Sequence, residues 1–258
     1  MKYSTKGCVG LIPAAGLGTR LGVRDSSKEI LPVTGVQYPD GMPRRLADCL
    51  LERFSVAGIE QVYWVIRAGK WDIPEHYGHG GAFGLSCAWL MMGHPWGTPF
   101  SLDQAYPFVR GRPVALGFPD IQFEPGDAFV HLLARWEAGS ADVVLGAFQV
   151  DTPEKFDMLE LDESNRVRAI RIKPVGCSLE YAWGIAVWGP RFSDFMHAYL
   201  QAAVADGDLS HRPEIYVGTV IQAAMREGFR VEAEVFPQGR VLDLGTPEDL
   251  QRAAEFFR

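Results

Sequence analysis

Apolar, strand-like runs alternate with stretches of helical spacing along nearly the whole chain, and that alternation restricts the fold to an α/β class with a largely parallel sheet. GCVGLIPAA, QVYWVIR, RPVALGFPD, ADVVLGAFQV and EYAWGIAVWGP read as buried strands. RRLADCLLERFSVAGI places Leu46, Leu50, Leu51 and Phe54 at helical spacing, with Gly58 as a C-cap. GDAFVHLLARWEAG, RFSDFMHAYLQAAVAD, VGTVIQAAMREGF and a last stretch from Pro247 read as further helices. FDMLELDESNRVRAIRIKP reads as a hairpin turning near Glu163 to Asn165, and RVEAEVFPQGRVLDLGT as a strand pair. Residues 70–100, dense in Gly, Trp and His around one short apolar strand, read as functional loops. With 258 residues, 47% of them hydrophobic, and no repeat or linker, the pattern fits one domain over residues 1–258.

Composition removes several classes of function. The cysteines Cys8, Cys49, Cys87 and Cys177 are scattered without CxxC spacing, so neither a disulfide framework nor a zinc site is expected. No apolar run reaches the length of a membrane span or a signal peptide core, which points to a cytoplasmic protein without a membrane partner. The net charge of −7 is interspersed, which disfavours a nucleic-acid partner. His76, His79 and His94 share no helical face and suggest no metal cluster.

The first strand breaks into LIPAAGLGTRLG. A dinucleotide fingerprint would need a third glycine where Leu21 stands, and a Walker loop would need a lysine after Gly22; neither is present. What remains is a strand, small residues and GLGTR: Ala14, Ala15, Gly16 and Gly18 let backbone N–H groups approach an anion, and Arg20 adds a fork of donors. Lys28 follows in SKEILPV. On spacing alone, a glycine turn with two exposed cations fits equally well.

LIPAAGLGTRLGVRDSSKEILPVTG resembles the signature of the sugar-1-phosphate nucleotidyltransferases, the NDP-sugar pyrophosphorylases such as glucose-1-phosphate thymidylyltransferase: a strand, then GxGTRL, then PKxLLPV. Gly16, Gly18, Thr19, Arg20, Leu21, Lys28, Leu31, Pro32 and Val33 fit it. SVAGIEQVYWVI, LGFPD, IKP, YAWGIAVW and VLDLGTPEDL follow in the family's order. The resemblance implies a three-layer, Rossmann-like nucleotidyltransferase fold with a mostly parallel central sheet.

The resemblance also implies a reaction: a sugar-1-phosphate oxygen attacks the α-phosphorus of a nucleoside triphosphate and pyrophosphate leaves, catalysis being mostly alignment and charge neutralisation. Asp120 and Asp243 are implied to hold Mg²⁺, with Asp127 the alternative to Asp120. Arg20 and Lys28 are implied to hold the triphosphate, and Lys173 of RIKP the sugar phosphate. Ala14, Ala15, Gly16, Gly18 and Thr19 would lie along the nucleotide; Asp157, Tyr181 and Gly184 fall in the acceptor region. Two departures mark that region: Ile172 stands where the family has a sugar-contacting glutamate, and Phe156–Asp157 where it has Tyr-Gly. In the base-reading segment, Met91 or Met92, Ser101 and Asp103 replace the usual residues. A magnesium-dependent enzyme using an NTP and a sugar-1-phosphate is therefore expected, and a homo-oligomer is compatible with it. Two other readings are a nucleotide-sugar binding or regulatory protein on the same fold, and a glycosyltransferase, which would prefer a D-x-D where Ile121 and Gln122 follow Asp120.

Overall fold

The computed structural model describes residues 7–16, 26–93, 96–207 and 213–256. The chain opens on β1 (Val9–Pro13), followed by a hairpin of β2 (Pro32–Gln37) and β3 (Pro43–Arg45), α1 (Asp48–Val56) and β4 (Gln61–Ile66). Next come α2 (Asp72–Tyr77), β5 (Ser86–Met91), α3 (Thr98–Asp103), α4 (Tyr106–Val109), β6 (Val114–Gly117) and β7 (Ile121–Glu124). α5 (Ala128–Glu137) precedes β8 (Val143–Gln149), β9 (Met158–Leu161), β10 (Val167–Arg171) and β11 (Tyr181–Trp188). α6 (Pro190–Ala205), α7 (Val217–Arg226), β12 (Val231–Phe236), β13 (Arg240–Asp243) and α8 (Pro247–Phe256) complete the order.

The main sheet runs β10-β9-β11-β6-β1-β4-β5, with β8 on the other edge of β11 and β12 beyond β8. β5, β4, β1, β6, β8, β12 and β9 point one way, and only β11 and β10 oppose them, so the sheet is mostly parallel as expected. Alternation along β1 shows how the strands divide two cores: Val9 and Leu11 face the cluster under α3, α4, α6 and α7, whereas Cys8 and Ile12 face the one under α1, α2 and α5. Helices therefore cover both faces, giving three layers.

Three departures from the expected elements bear on the site. RPVALGFPD is a strand only as far as Gly117; after Asp120 the chain starts β7, which leaves the main sheet. The strands of RVEAEVFPQGRVLDLGT do not pair with each other, because β12 joins β8 while β13 pairs antiparallel with β7. Residues 70–100 contain α2 and the start of α3 besides the expected strand.

Candidate active site

β7 and β13 form a two-stranded ribbon in which Asp243 lies opposite Ile121, and the Leu244 N–H donates to the Asp120 carbonyl at 2.8 Å. Two carboxylates from distant parts of the sequence thus end up next to each other. Gly184 sits where β11 shifts register, between Trp183 and Ile185. A Cβ there would come within 3.3 Å of Ile121 Cγ2 and Val241 Cγ2, so the missing side chain lets the ribbon lie close against the main sheet. Asp127, the alternative carboxylate, is exposed at the start of α5 and faces His131 instead.

Lys28 lies on a 3-10 turn over Lys28–Ile30, and its ammonium pairs with Asp120 Oδ2. Burial draws its pKa down, but Asp120, Glu29 and Asp243 outweigh that and hold it above the ordinary lysine value. Carboxylates from three segments thus surround one ammonium at this corner. Hard oxygen donors on two adjoining carboxylates fit Mg²⁺, which typically takes one or two carboxylates and fills its remaining positions with phosphate oxygens and water. Among the described residues no group of three or more His, Cys, Asp or Glu gathers to hold a metal.

On the nucleotide side, Ala14 and Ala15 are buried and Gly16 is exposed. The Ala14 N–H donates to the Val65 carbonyl at 2.8 Å, and the Ala14 carbonyl accepts from Lys70 Nζ at 2.8 Å. Both backbone groups of Ala14 are thereby engaged within the protein. A Cβ on Gly16 would meet nothing within 4 Å. Gly18, Thr19 and Arg20 lie outside the described residues.

The expected acceptor region lies where β11 changes neighbours. Its Ile185–Trp188 half pairs with β6, and Tyr181 and Ala182 pair with β9 on the same edge. Tyr181, half-buried, opens the strand against Leu159 and Gln149. The Trp183 N–H donates to the Asp157 carbonyl at 3.2 Å, and the Trp183 ring lies 6.0 Å from that of Phe118, two residues before Asp120. Lys173 is exposed, with a left-handed φ of 39° and its ammonium 4.8 Å from the centre of the Tyr216 ring.

Asp157 does not project freely into that region. Its Oδ2 and Ile172 Cδ1 would each stand 2.7 Å from a Cβ on Gly218, so a glycine at the start of α7 makes room for both. Oδ1 is buried without a hydrogen-bond partner among the described residues, and burial pushes the carboxyl up to about 6 against the opposing pull of Lys173. A carboxyl whose folded pKa is raised destabilises the fold once ionised, so parent stability should fall as pH rises from about 4 through 6. Asp157→Asn is expected to remove that slope, leaving a variant less sensitive to pH over this interval by up to about 3 kcal/mol. Melting temperature against pH for the two proteins measures it, and parallel profiles would contradict the burial argument.

Two features of the site were not expected from sequence. Lys70 and Asp72, just after β4, reach back to the turn carrying Lys28, through Glu29 and Ser27. Asp103, from the expected base-reading segment, pairs with His197 on α6 at 3.0 Å and braces two helices.

The nucleotidyl transferase family model matches residues 9–258. This chain belongs to the nucleotidyl transferase family. The expectation of a nucleotidyltransferase enzyme stands on that membership. The chain is 27% identical over 259 residues to the glucose-1-phosphate thymidylyltransferase of Neisseria meningitidis, covering 96% of this chain and 82% of that one. It is 23% identical over 248 residues to the low-salt glycan biosynthesis nucleotidyltransferase Agl11 of Haloferax volcanii, spanning 95% of this chain but only 64% of that relative's length. Among solved structures, one from Bacillus anthracis assigned as a glucose-1-phosphate thymidylyltransferase, with sucrose bound, superposes with a TM-score of 0.80 at 20% identity, covering 96% and 94% of the two chains. The UDP-glucose pyrophosphorylase of Acinetobacter baumannii gives 0.75 at 18% identity, covering 96% and 92%. These likenesses show the three-layer nucleotidyltransferase fold.

Proposed function

We propose that this nucleotidyltransferase moves a nucleoside monophosphate from an NTP onto a sugar-1-phosphate or related phosphate, using Mg²⁺, and releases pyrophosphate. The observation that carries the reading is the meeting of Asp120, Asp243 and Lys28 from three separate segments at one corner of the sheet. An acceptor phosphate oxygen forms a bond to the α-phosphorus as the bond from that phosphorus to the β-bridging oxygen breaks, and the electron pair leaves with pyrophosphate. Lys28, with Arg20 assigned as a second cation, neutralises the charge that grows on the leaving group. Lys173 holds the acceptor phosphate in line. Asp120 and Asp243 would hold Mg²⁺, which when bound supplies charge neutralisation at the reacting phosphate oxygens.

The acceptor is expected to differ from glucose-1-phosphate. Ile172 packs against the main core and offers no acceptor to a sugar hydroxyl, while the Asp157 carboxyl is turned against Gly218. A hydroxyl that loses its buried partner costs roughly 1–3 kcal/mol in recognition. A deoxy, amino or non-hexose phosphate should react better. Among the described residues no helix is long and apolar enough to cross a membrane, which is compatible with a cytoplasmic site of action.

A matrix of NTPs against sugar-1-phosphates and other phosphomonoesters, read as pyrophosphate released, tests the reading. At least one pair should turn over, with kcat/KM for glucose-1-phosphate below about 10⁴ M⁻¹s⁻¹, the low end of ordinary enzyme efficiency. Binding of nucleotide-sugars without pyrophosphate release from any pair would point to the binding or regulatory protein instead. Glucose-1-phosphate exceeding every other acceptor would overturn the acceptor argument alone.

A further inference from the structure

Lys28 follows Ser27 and precedes Glu29, and both neighbours are tied to one short segment that the reaction scheme does not use. Asp72 accepts from the Ser27 N–H at 2.6 Å and from the Ser27 hydroxyl at 2.7 Å. Lys70 donates to Glu29 Oε1 at 2.7 Å and to the Ala14 carbonyl at 2.8 Å. We infer that Lys70, Glu29 and Asp72 are positioning residues of the nucleotide site, clamping the end of β1 and the Lys28 turn in one fixed relation. This rests on the nucleotidyltransferase reading above.

The clamp joins the end of β1 to the Lys28 turn, which lies outside the main sheet. The β1 ladder with β4 stops after the Ala14 N–H, and beyond that bond Lys70 is what holds the Ala14 carbonyl. On the other side, the Glu29 carbonyl accepts from the Ala47 N–H at 3.1 Å, which fixes the turn to the start of α1. Lys70 and Glu29 side chains are only 6% and 0% exposed. Among the described residues Glu29 Oε2 has no hydrogen-bond partner.

A buried ion pair with an unsatisfied oxygen is a poor way to stabilise a fold, because desolvation offsets most of the attraction and an apolar pair of similar volume commonly does as well. It does, however, fix atoms at hydrogen-bond distance along stated directions, and in-line displacement at phosphorus depends on such placement. The pair stands where that constraint is useful: one end on the segment leading into the expected phosphate loop, the other beside Lys28.

The experiment compares the parent with Lys70→Met, Glu29→Leu and the double variant, following melting temperature and steady-state kinetics with NTP and acceptor varied separately. Each single change strands a buried charge and should lower both stability and activity. In the double variant the melting temperature is expected to return towards the parent, while kcat/KM for NTP stays about 10- to 100-fold down and KM for the acceptor is unchanged. Asp72→Ala, which alters only a half-buried carboxylate at the first residue of α2, should raise KM for NTP without moving the melting temperature, and it reads the clamp even where the double variant does not fold. Parent NTP kinetics in a stable double variant or in Asp72→Ala would overturn the inference. A parent that releases no pyrophosphate with any pair would instead defeat the reading beneath it.

Discussion

Asp120→Asn and Asp243→Asn are each expected to lower turnover by about 10³-fold or more, with circular dichroism and melting temperature close to the parent. Asparagine keeps the shape and one oxygen of the carboxylate but removes the charge that would draw a hard cation to the corner. Asp120 and Asp243 flank the β7–β13 ribbon at its open end, and the bond from Leu244 N–H goes to the Asp120 backbone, which the substitution leaves intact. Neither change should therefore unfold the ribbon. Chelation should abolish pyrophosphate release and added Mg²⁺ should restore it. Activity near the parent level in Asp120→Asn would transfer the role to Asp127 or remove it.

The second large effect is expected at Lys28. Lys28→Ala should lower kcat/KM for NTP by roughly 10²- to 10³-fold, the range for loss of a preorganised donor aimed at developing charge. The ammonium is largely shielded from solvent, with its side chain 17% exposed, and is kept charged by three carboxylates against the pull of burial. Lys28→Arg should recover little, since a planar fork cannot occupy the place of a point charge seated against Asp120. Arg20→Ala should behave like Lys28→Ala. Steady-state kinetics with NTP varied gives the measurement, and an effect confined to KM for the acceptor would contradict this placement.

The parts of the fold legible in sequence are those that one periodicity decides. β1, β4, β8 and β11 are continuous apolar runs buried on both faces, and α5 and α7 carry clear stripes. β7 was not legible: IQFE is four residues long, begins directly after a turn, and pairs with a strand more than a hundred residues away. α2 and α3 are six residues each and lie among the glycines and tryptophans that read as loop.

The site divides in the same way. Asp120, Asp243 and Lys28 were legible because each falls in a recognisable stretch, and the structure gathers them. Lys70 was not, because a lone lysine in a polar loop ordinarily points to water, and its partner Glu29 lies 41 residues earlier. Asp157 was legible as a carboxylate of the acceptor region but not as one pressed against α7, since the space it fills depends on Gly218 in a helix that sequence does not place there.

The pairing of β7 with β13 also sets an order of events during synthesis. β1, β4, β5 and β6 can register with one another once the first half of the chain has emerged, and their helices can begin to cover them. The ribbon is different: Gln122 and Phe123 have no strand to meet until Val241 and Leu242 have been made. Asp120 is then present with Lys28 but without its second carboxylate, so a chain still on the ribosome would hold the nucleotide-side half of its chemistry and lack the partner that completes the charge. Competence for the proposed reaction would arrive only once β13 has been made, as a single late closure of the ribbon.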